Sequence, residues 1–268
     1  MPIEHGVSFR RISQAEFMAM DFAVMQHVFA MQHDLGRFCD ERIYQNELAA
    51  RLIKNGFGDV AREVPIHVSH GTFRKTYFMD MLVNASGLLE LKTVESLTGE
   101  HTMQALHYLL LSGLSHGKLI NLRPPSVQHR FVSTRLTPAK RHVIHVDTGA
   151  WDDTDGDGLW FRTTMTDLIS DWGLFLDISL FYQAITEFRG GEENVLTRLP
   201  ICRDGRELGF QRIHLLNQHT AFRLSGVRGD IHQYGDHLRR FLLLTRLDTV
   251  QWVNFDHHNV TFVTVRKD

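Results

Sequence analysis

The chain has 268 residues, 43% hydrophobic and 22% charged, with 29 Lys+Arg against 31 Asp+Glu and a formal net charge of −2 at pH 7. This composition excludes collagenous, low-complexity and intrinsically disordered classes, and no apolar run is long enough to span a bilayer. Cys39 and Cys202 are too few for a disulfide framework, a four-thiolate zinc site or an iron–sulfur cluster.

The opening residues MPIEHGVSFRRISQ lack the apolar core of a secretion signal, so a cytoplasmic location without membrane contact is expected. Residues 14–33 carry Phe17, Met18, Phe22, Met25, Val28, Phe29 and Met31 at helical spacing. Gly36 interrupts, and a second helix fits 38–54 on the stripe Ile43, Leu48, Leu52, Ile53. From Val60 the period becomes two: REVPIHV, RKTYFMDMLV and LLELKTV read as strands, with turns at Ser69–Thr72 and Asn84–Gly87. Thr98 can cap a helix to about Ser115, followed by the strands KLINL and HRFVST. Together these make an α/β core over residues 36–135.

After an acidic linker around Pro138–Asp157, the order begins again. Residues 160–188 read as helical, VLTRLPICRDGRELGFQRIHLL as a hairpin at Asp204–Gly205, and TAFRLSGV as a third strand. GDHLRRFLLLTRL then reads as a helix, QWVNF and VTFVTV as strands. Gln104 with His237 and Asn121 with Asn254 fall at one offset, and Pro65 with Pro200 at nearly the same, the mark of internal duplication. The expected division is 1–138 and 139–268, the second part a degenerate copy or an accessory α+β domain.

Charge near neutrality argues against a general coat for polyanions, so any nucleic-acid contact must be local. Lys118, Arg123, Arg130, Arg135, Lys140 and Arg141 occupy a stretch without an acid, which reads equally as a phosphate-binding patch or a solvated basic surface. Glu90 and Lys92 share one strand face, and Asp80 lies roughly across from Glu90 and Leu91 if Asn84–Gly87 is the turn. Two carboxylates that close repel unless a cation lies between them, and oxygen donors without His or Cys favour Mg²⁺ or Mn²⁺. Lys92 would steady a hydroxide or a phosphate oxygen. Two helical pairs add to the patch, Glu41 with Tyr44 before the meander and Gln104 with Tyr108 after it.

The series Glu41, Asp80, Glu90-Leu91-Lys92, Gln104…Tyr108 resembles the PD-(D/E)XK nuclease superfamily. LGRFCDERIY at 35–44, with REVPIHV, LLELKTVESL and LHYLLLSGLSHGKLINL, is similar to the bacterial GxxExxY proteins within it. Two positions depart from the pattern: Phe38 stands where the motif has Gly, and Met79 precedes Asp80 where Pro is usual. The resemblance implies a restriction-endonuclease-like core and metal-dependent hydrolysis of phosphodiester bonds, in DNA before RNA. It implies that Asp80, Glu90 and the Leu91 carbonyl hold Mg²⁺ or Mn²⁺, and that Glu41 binds a second ion directly or through water. It implies that Lys92 orients the nucleophilic water, and that Gln104 and Tyr108 position the phosphate or the catalytic groups. Tyr44, Arg123 and Arg130 are the further candidates for substrate contact.

At the constant offset the metal-site positions land near Ile213–His214, Arg223 and Ser225, where no carboxylate stands. The second half is thus expected to be a silent copy, making an internal pseudo-dimer in a monomer or homodimer, with Arg212, Arg223, Arg239 and Arg240 as clamp candidates. The competing class is a catalytically silent nucleic-acid-binding or interaction protein that retains the fold. Asp153-Thr154-Asp155-Gly156-Asp157-Gly158 matches the front of a calcium loop but has Thr164 where the bidentate Glu belongs, so it reads as linker. Asp256-His257-His258 reads as a hairpin turn.

Overall fold

The computed structural model describes residues 2–153 and 155–267. In chain order its first elements are β1 (Ile3–His5), α1 (Gln14–Leu35), α2 (Glu41–Lys54), β2 (Val60–His70), β3 (Phe73–Val83), β4 (Gly87–Lys92), α3 (Gly99–Ser112), β5 (His116–Asn121) and β6 (Gln128–Ser133). There follow α4 (Pro138–Arg141), β7 (His145–Ala150), α5 (Gly156–Trp172), α6 (Ile178–Phe188), α7 (Glu192–Val195), β8 (Leu196–Arg203), β9 (Arg206–His214), β10 (Thr220–Ser225), α8 (Ile231–Leu243), β11 (Thr249–Asp256) and β12 (Asn259–Arg266). The contacts divide the chain into two units, Met1–Ser69 with Arg74–Lys140, and His70–Phe73 with Arg141–Asp268. Among the described residues no helix is long and apolar enough to cross a membrane.

In the first unit a capping box starts α1: Ser13 Oγ accepts from the Glu16 amide, and Glu16 Oε2 accepts from the Ser13 amide at 2.8 Å. Gly36, at φ 71°, ends that run by turning left-handed. The sheet runs β1-β2-β3-β4-β5-β6, with β3–β4 antiparallel, β4–β5 parallel and β5–β6 antiparallel. Val24, Val28 and Met31 of α1 and Tyr44, Leu48 and Leu52 of α2 form one core with Met81, Val83, Leu89, Leu91 and Ile120 of the sheet. Strand alternation therefore turns Asp80, Glu90 and Lys92 to the opposite face. Every residue of β4 is buried, because the strand is flanked on both sides.

The second unit has the sheet β10-β11-β12-β7 beside the β8–β9 hairpin. Its core combines Leu238, Phe241 and Leu242 of α8 with Leu199, Ile213, Ala221, Val250, Trp252 and Val265. Two expectations are corrected here. The stretch 138–157 is not a linker: His145–Ala150 pairs in parallel with β12, and Asp155 caps α5 by accepting from the Gly158 amide. Asp157 pairs with Arg189 at 2.9 Å and accepts from Asn217 at 2.8 Å, which accounts for the acidic run without calcium; Thr154 lies outside the described residues. Residues 160–188 are not one helix but α5 and α6, broken where Gly173 and Phe175 take φ values of 73° and 69°.

The two units share strand registers. Lys92 faces Asn121 across β4–β5 as Ser225 faces Asn254 across β10–β11, and Leu119 faces Arg130 as Trp252 faces Val263. The buried Asn121 side chain accepts from the Val94 amide (3.0 Å) and donates to the Val94 carbonyl (2.7 Å). Asn254 does the same with Val227, at 2.8 and 3.0 Å.

Candidate active site

The β3–β4 ladder runs from Val83↔Gly87 to Met81↔Leu89. Beyond it the Asp80 carboxylate, rather than a backbone carbonyl, accepts the Leu91 amide hydrogen at 2.7 Å. Side chain thus replaces ladder, and Leu91 lies past the last strand pair. On the same strand Lys92 Nζ donates to Glu90 Oε1 at 2.8 Å. The ammonium also lies 3.8 Å from Asp80 Oδ2 and 3.9 Å from Glu41 Oε1, at the first turn of α2. The four polar side chains therefore meet around one ammonium, with three carboxylates sharing a single positive charge.

Burial pushes the Glu90 carboxyl up to about 8, with the Asp80 charge adding to the rise and Lys92 opposing it. Burial likewise lifts Asp80 to about 6, again against Lys92. Glu41 is raised by burial, against the pull of Lys92. Burial disfavours the charged form of Lys92, yet Glu90, Asp80 and Glu41 together hold it above the usual lysine range. The second carboxylate oxygen of Glu90 is buried with no hydrogen-bond partner among the described residues. Leaving such an oxygen unpaired is costly, so this atom points to a ligand.

The donor set fits a hard divalent cation of the Mg²⁺ or Mn²⁺ kind: two carboxylates, Asp80 and Glu90, with the adjacent Leu91 carbonyl. Mg²⁺ is commonly held by one or two carboxylates, with waters and substrate phosphates completing its shell. Among the described residues no three His, Cys, Asp or Glu side chains form a ready-made ligand cluster. Glu41, expected to bind a second ion directly or through water, stands at the same cluster, with its Oε1 3.9 Å from the Lys92 ammonium.

Gln104 Nε2 donates to the Tyr108 hydroxyl at 3.1 Å. Burial raises the Tyr108 hydroxyl above its usual range against that hydrogen bond, and the charges of Glu90 and Asp80 raise it further. Arg123 Nε donates to the Thr93 carbonyl at 3.3 Å, just past Lys92, and Arg130 donates to Thr102 of α3 at 2.5 Å.

Other candidates are placed elsewhere. Tyr44 is fully buried; its hydroxyl donates to the Gly36 carbonyl at 2.7 Å and accepts from the Cys39 amide at 3.3 Å. It ties the α1–α2 corner and is not presented to substrate. Tyr44→Phe is accordingly expected to cost about 1 kcal/mol of stability in denaturant titrations. The basic stretch is not one surface, since Lys118 is buried against Asp21 at 2.6 Å and Arg141 is buried on the carbonyls of Trp172 and Leu174. Arg223 belongs to β10 of the second unit.

Sequence reasoning missed Glu63, whose charge raises both Glu41 and Asp80. Glu63 has a φ of 50° inside β2, a conformation uncommon for a non-glycine residue. Pro65, two residues on, is the one sequence sign of an irregular strand there. His101 was also missed; its Nδ1 accepts from the Thr98 amide at 3.0 Å.

Residues 19–132 match the family profile of the PD-(D/E)XK nuclease superfamily, a span that contains every residue of this cluster. The mixed α/β order of the first unit is consistent with that fold. Proteins of the superfamily are generally nucleases, typically with divalent metals. No curated protein gives a significant match. A solved structure titled "Crystal structure of SSO0001" is 22% identical with a TM-score of 0.29, over 47% of this chain and 63% of that one. The match therefore spans less than two thirds of that chain.

Proposed function

We propose that this protein is a Mg²⁺- or Mn²⁺-dependent nuclease of the GxxExxY kind, hydrolysing phosphodiester bonds of DNA at a single centre in its first half. The observation that carries this reading is the convergence of Glu41, Asp80 and Glu90 on Lys92, with a buried Glu90 oxygen left unpaired. Asp80, Glu90 and the Leu91 carbonyl would hold the ion. When bound, it supplies a water of lowered pKa and neutralises phosphate charge.

The protein's own groups do the rest. Lys92, kept charged by its three acidic neighbours, donates to the attacking oxygen or to the phosphate. Tyr108 and Gln104, already hydrogen-bonded to each other, orient a phosphate oxygen. Glu41 sets the position of the Lys92 ammonium. Arg123 and Arg130, nearer solvent, hold neighbouring phosphates of the strand.

The second half is, in this reading, a degenerate copy of the first and completes an internal pseudo-dimer. The shared registers and the matching Asn121 and Asn254 bridges support it.

The test is incubation of linear DNA, circular DNA and RNA with the protein in Mg²⁺, Mn²⁺ or EDTA. DNA loss with either metal and none in EDTA is expected. Lys92→Ala should slow cleavage by about a hundredfold while the Mg²⁺-induced rise in melting temperature persists. A gel shift without any metal-dependent loss, itself unchanged in Lys92→Ala, would instead identify a silent binding protein.

A further inference from the structure

The second unit holds a cavity of about 350 Å³ lined by Tyr182, His214, Arg223, Tyr234, His237 and Phe241, among others. Its volume lies within the range of small-molecule sites. Arg223 stands two residues before Ser225, which faces Asn254, as Glu90 stands two residues before Lys92, which faces Asn121. A guanidinium thus occupies the register place of a metal-holding carboxylate.

The neighbouring groups have changed with it. The Leu224 amide, which corresponds in register to that of Leu91, donates to the Tyr182 hydroxyl at 2.8 Å instead of to an aspartate. The same hydroxyl donates to the Leu224 carbonyl at 3.3 Å, so the oxygen matching the Leu91 carbonyl is engaged by a phenol. Arg223 Nε donates to the Tyr234 hydroxyl at 3.0 Å, which orients the fork. Among the described residues no carboxylate lies within ion-pair distance of Arg223; the nearby Arg212 has its own exposed partner, Glu192, at 3.7 Å.

Aromatic rings furnish the rest of the wall. Tyr182 lies 4.6 Å from His214 between ring centroids, and Tyr234 lies 4.8 Å from Trp252. Burial and the Arg223 charge hold His214, which lines the cavity, below its ordinary range against the pull of Glu192.

An oriented guanidinium without an acidic partner binds a phosphate bidentately and needs no ion to do so. Flat aromatic walls accept a nucleobase of any identity by stacking. We propose that the second half carries a metal-independent site for a nucleoside phosphate, with Arg223 on the phosphate and the Tyr182, Tyr234 and Phe241 rings on the base. With no carboxylate among the described residues that line it, this site retains the phosphate without hydrolysing it. The chemistry is shared by a free mononucleotide and by the phosphorylated end of a strand. The inference is independent of the nuclease reading, because its readout is binding in EDTA.

The experiment titrates full-length protein in EDTA against a short oligothymidylate with a 5′-phosphate and a 3′-fluorophore, followed by anisotropy. Saturable binding is expected, with Arg223→Gln weakening it at least about tenfold and Arg223→Lys recovering part of the loss. Tyr234→Phe, which removes only the orienting hydroxyl, should weaken it less. Displacement by thymidine monophosphate at concentrations matching its own affinity identifies the free nucleotide as the occupant; displacement by phosphorylated strands alone identifies the strand end. Equal affinity for the 5′-hydroxyl probe, or wild-type affinity in both Arg223→Gln and Tyr234→Phe, would overturn the proposal. Melting curves of each variant show that the fold is retained.

Discussion

Replacing Glu90 with Gln is expected to lower Mg²⁺-dependent DNA cleavage by about a thousandfold or more, corresponding to the several kcal/mol that a bound cation supplies. Gln has the shape of Glu and its amide oxygen can still accept from Lys92, so the buried strand stays filled. What disappears is one of the two carboxylates proposed to hold the ion, and with it the buried oxygen that has no partner among the described residues. The Mg²⁺-induced rise in melting temperature should therefore vanish together with turnover. Lys92→Ala differs in kind, since it should spare the metal-induced shift and lose rate. Cleavage by Glu90→Gln at the wild-type rate would remove this cluster from the chemistry.

Asp80→Asn is expected to stabilise the metal-free protein at alkaline pH. The Asp80 carboxyl rises from its ordinary 3.8 to about 6 in the folded state, because burial disfavours its charge more than Lys92 favours it. Between those values the folded chain binds the proton more tightly than the unfolded chain does. Stability conferred by the protonated form is therefore lost as pH climbs through that window, and the full penalty is present above it. Asn carries no such penalty, and its side-chain oxygen can still accept the Leu91 amide hydrogen. In EDTA at about pH 8 the variant should exceed the wild type by roughly 1–3 kcal/mol, with the gap closing towards about pH 4. Added Mg²⁺ should reverse the order, because only the wild type keeps both carboxylates. Denaturant titrations at several pH values measure this; a gap that widens on acidification would contradict the electrostatic account.

Much of the first unit is legible from local pattern. Alternation around Asn84–Gly87 places Glu90 and Lys92 on one face, and β3 and β4 pair across that turn. Thr98 starts α3, and the break after residue 35 separates α1 from α2. Periodicity was less informative for 138–157, where acids and glycines resemble a linker although His145–Ala150 joins the β12 edge. That strand is exposed throughout its length, so it leaves no hydrophobic alternation to detect. The site shows a related limit. Tyr44 shares a helix with Glu41 but points into the α1–α2 corner, and Lys118 and Arg141 are basic residues held inside. Glu63 lies in a strand with no motif, so nothing local marks the charge that raises Glu41 and Asp80.

By itself the sequence determined which residue types are available and which face of its own element each occupies, since both follow from composition and from periods of 3.6 and 2. That was enough to nominate Glu41, Asp80, Glu90 and Lys92 and to find the offset between the halves. The tertiary structure alone decided what stands opposite each face: that three carboxylates share one ammonium, and that a buried oxygen of Glu90 lacks a partner among the described residues. The reason is physical. Burial and charge pairing depend on neighbours brought in from distant parts of the chain, and local periodicity does not encode those neighbours.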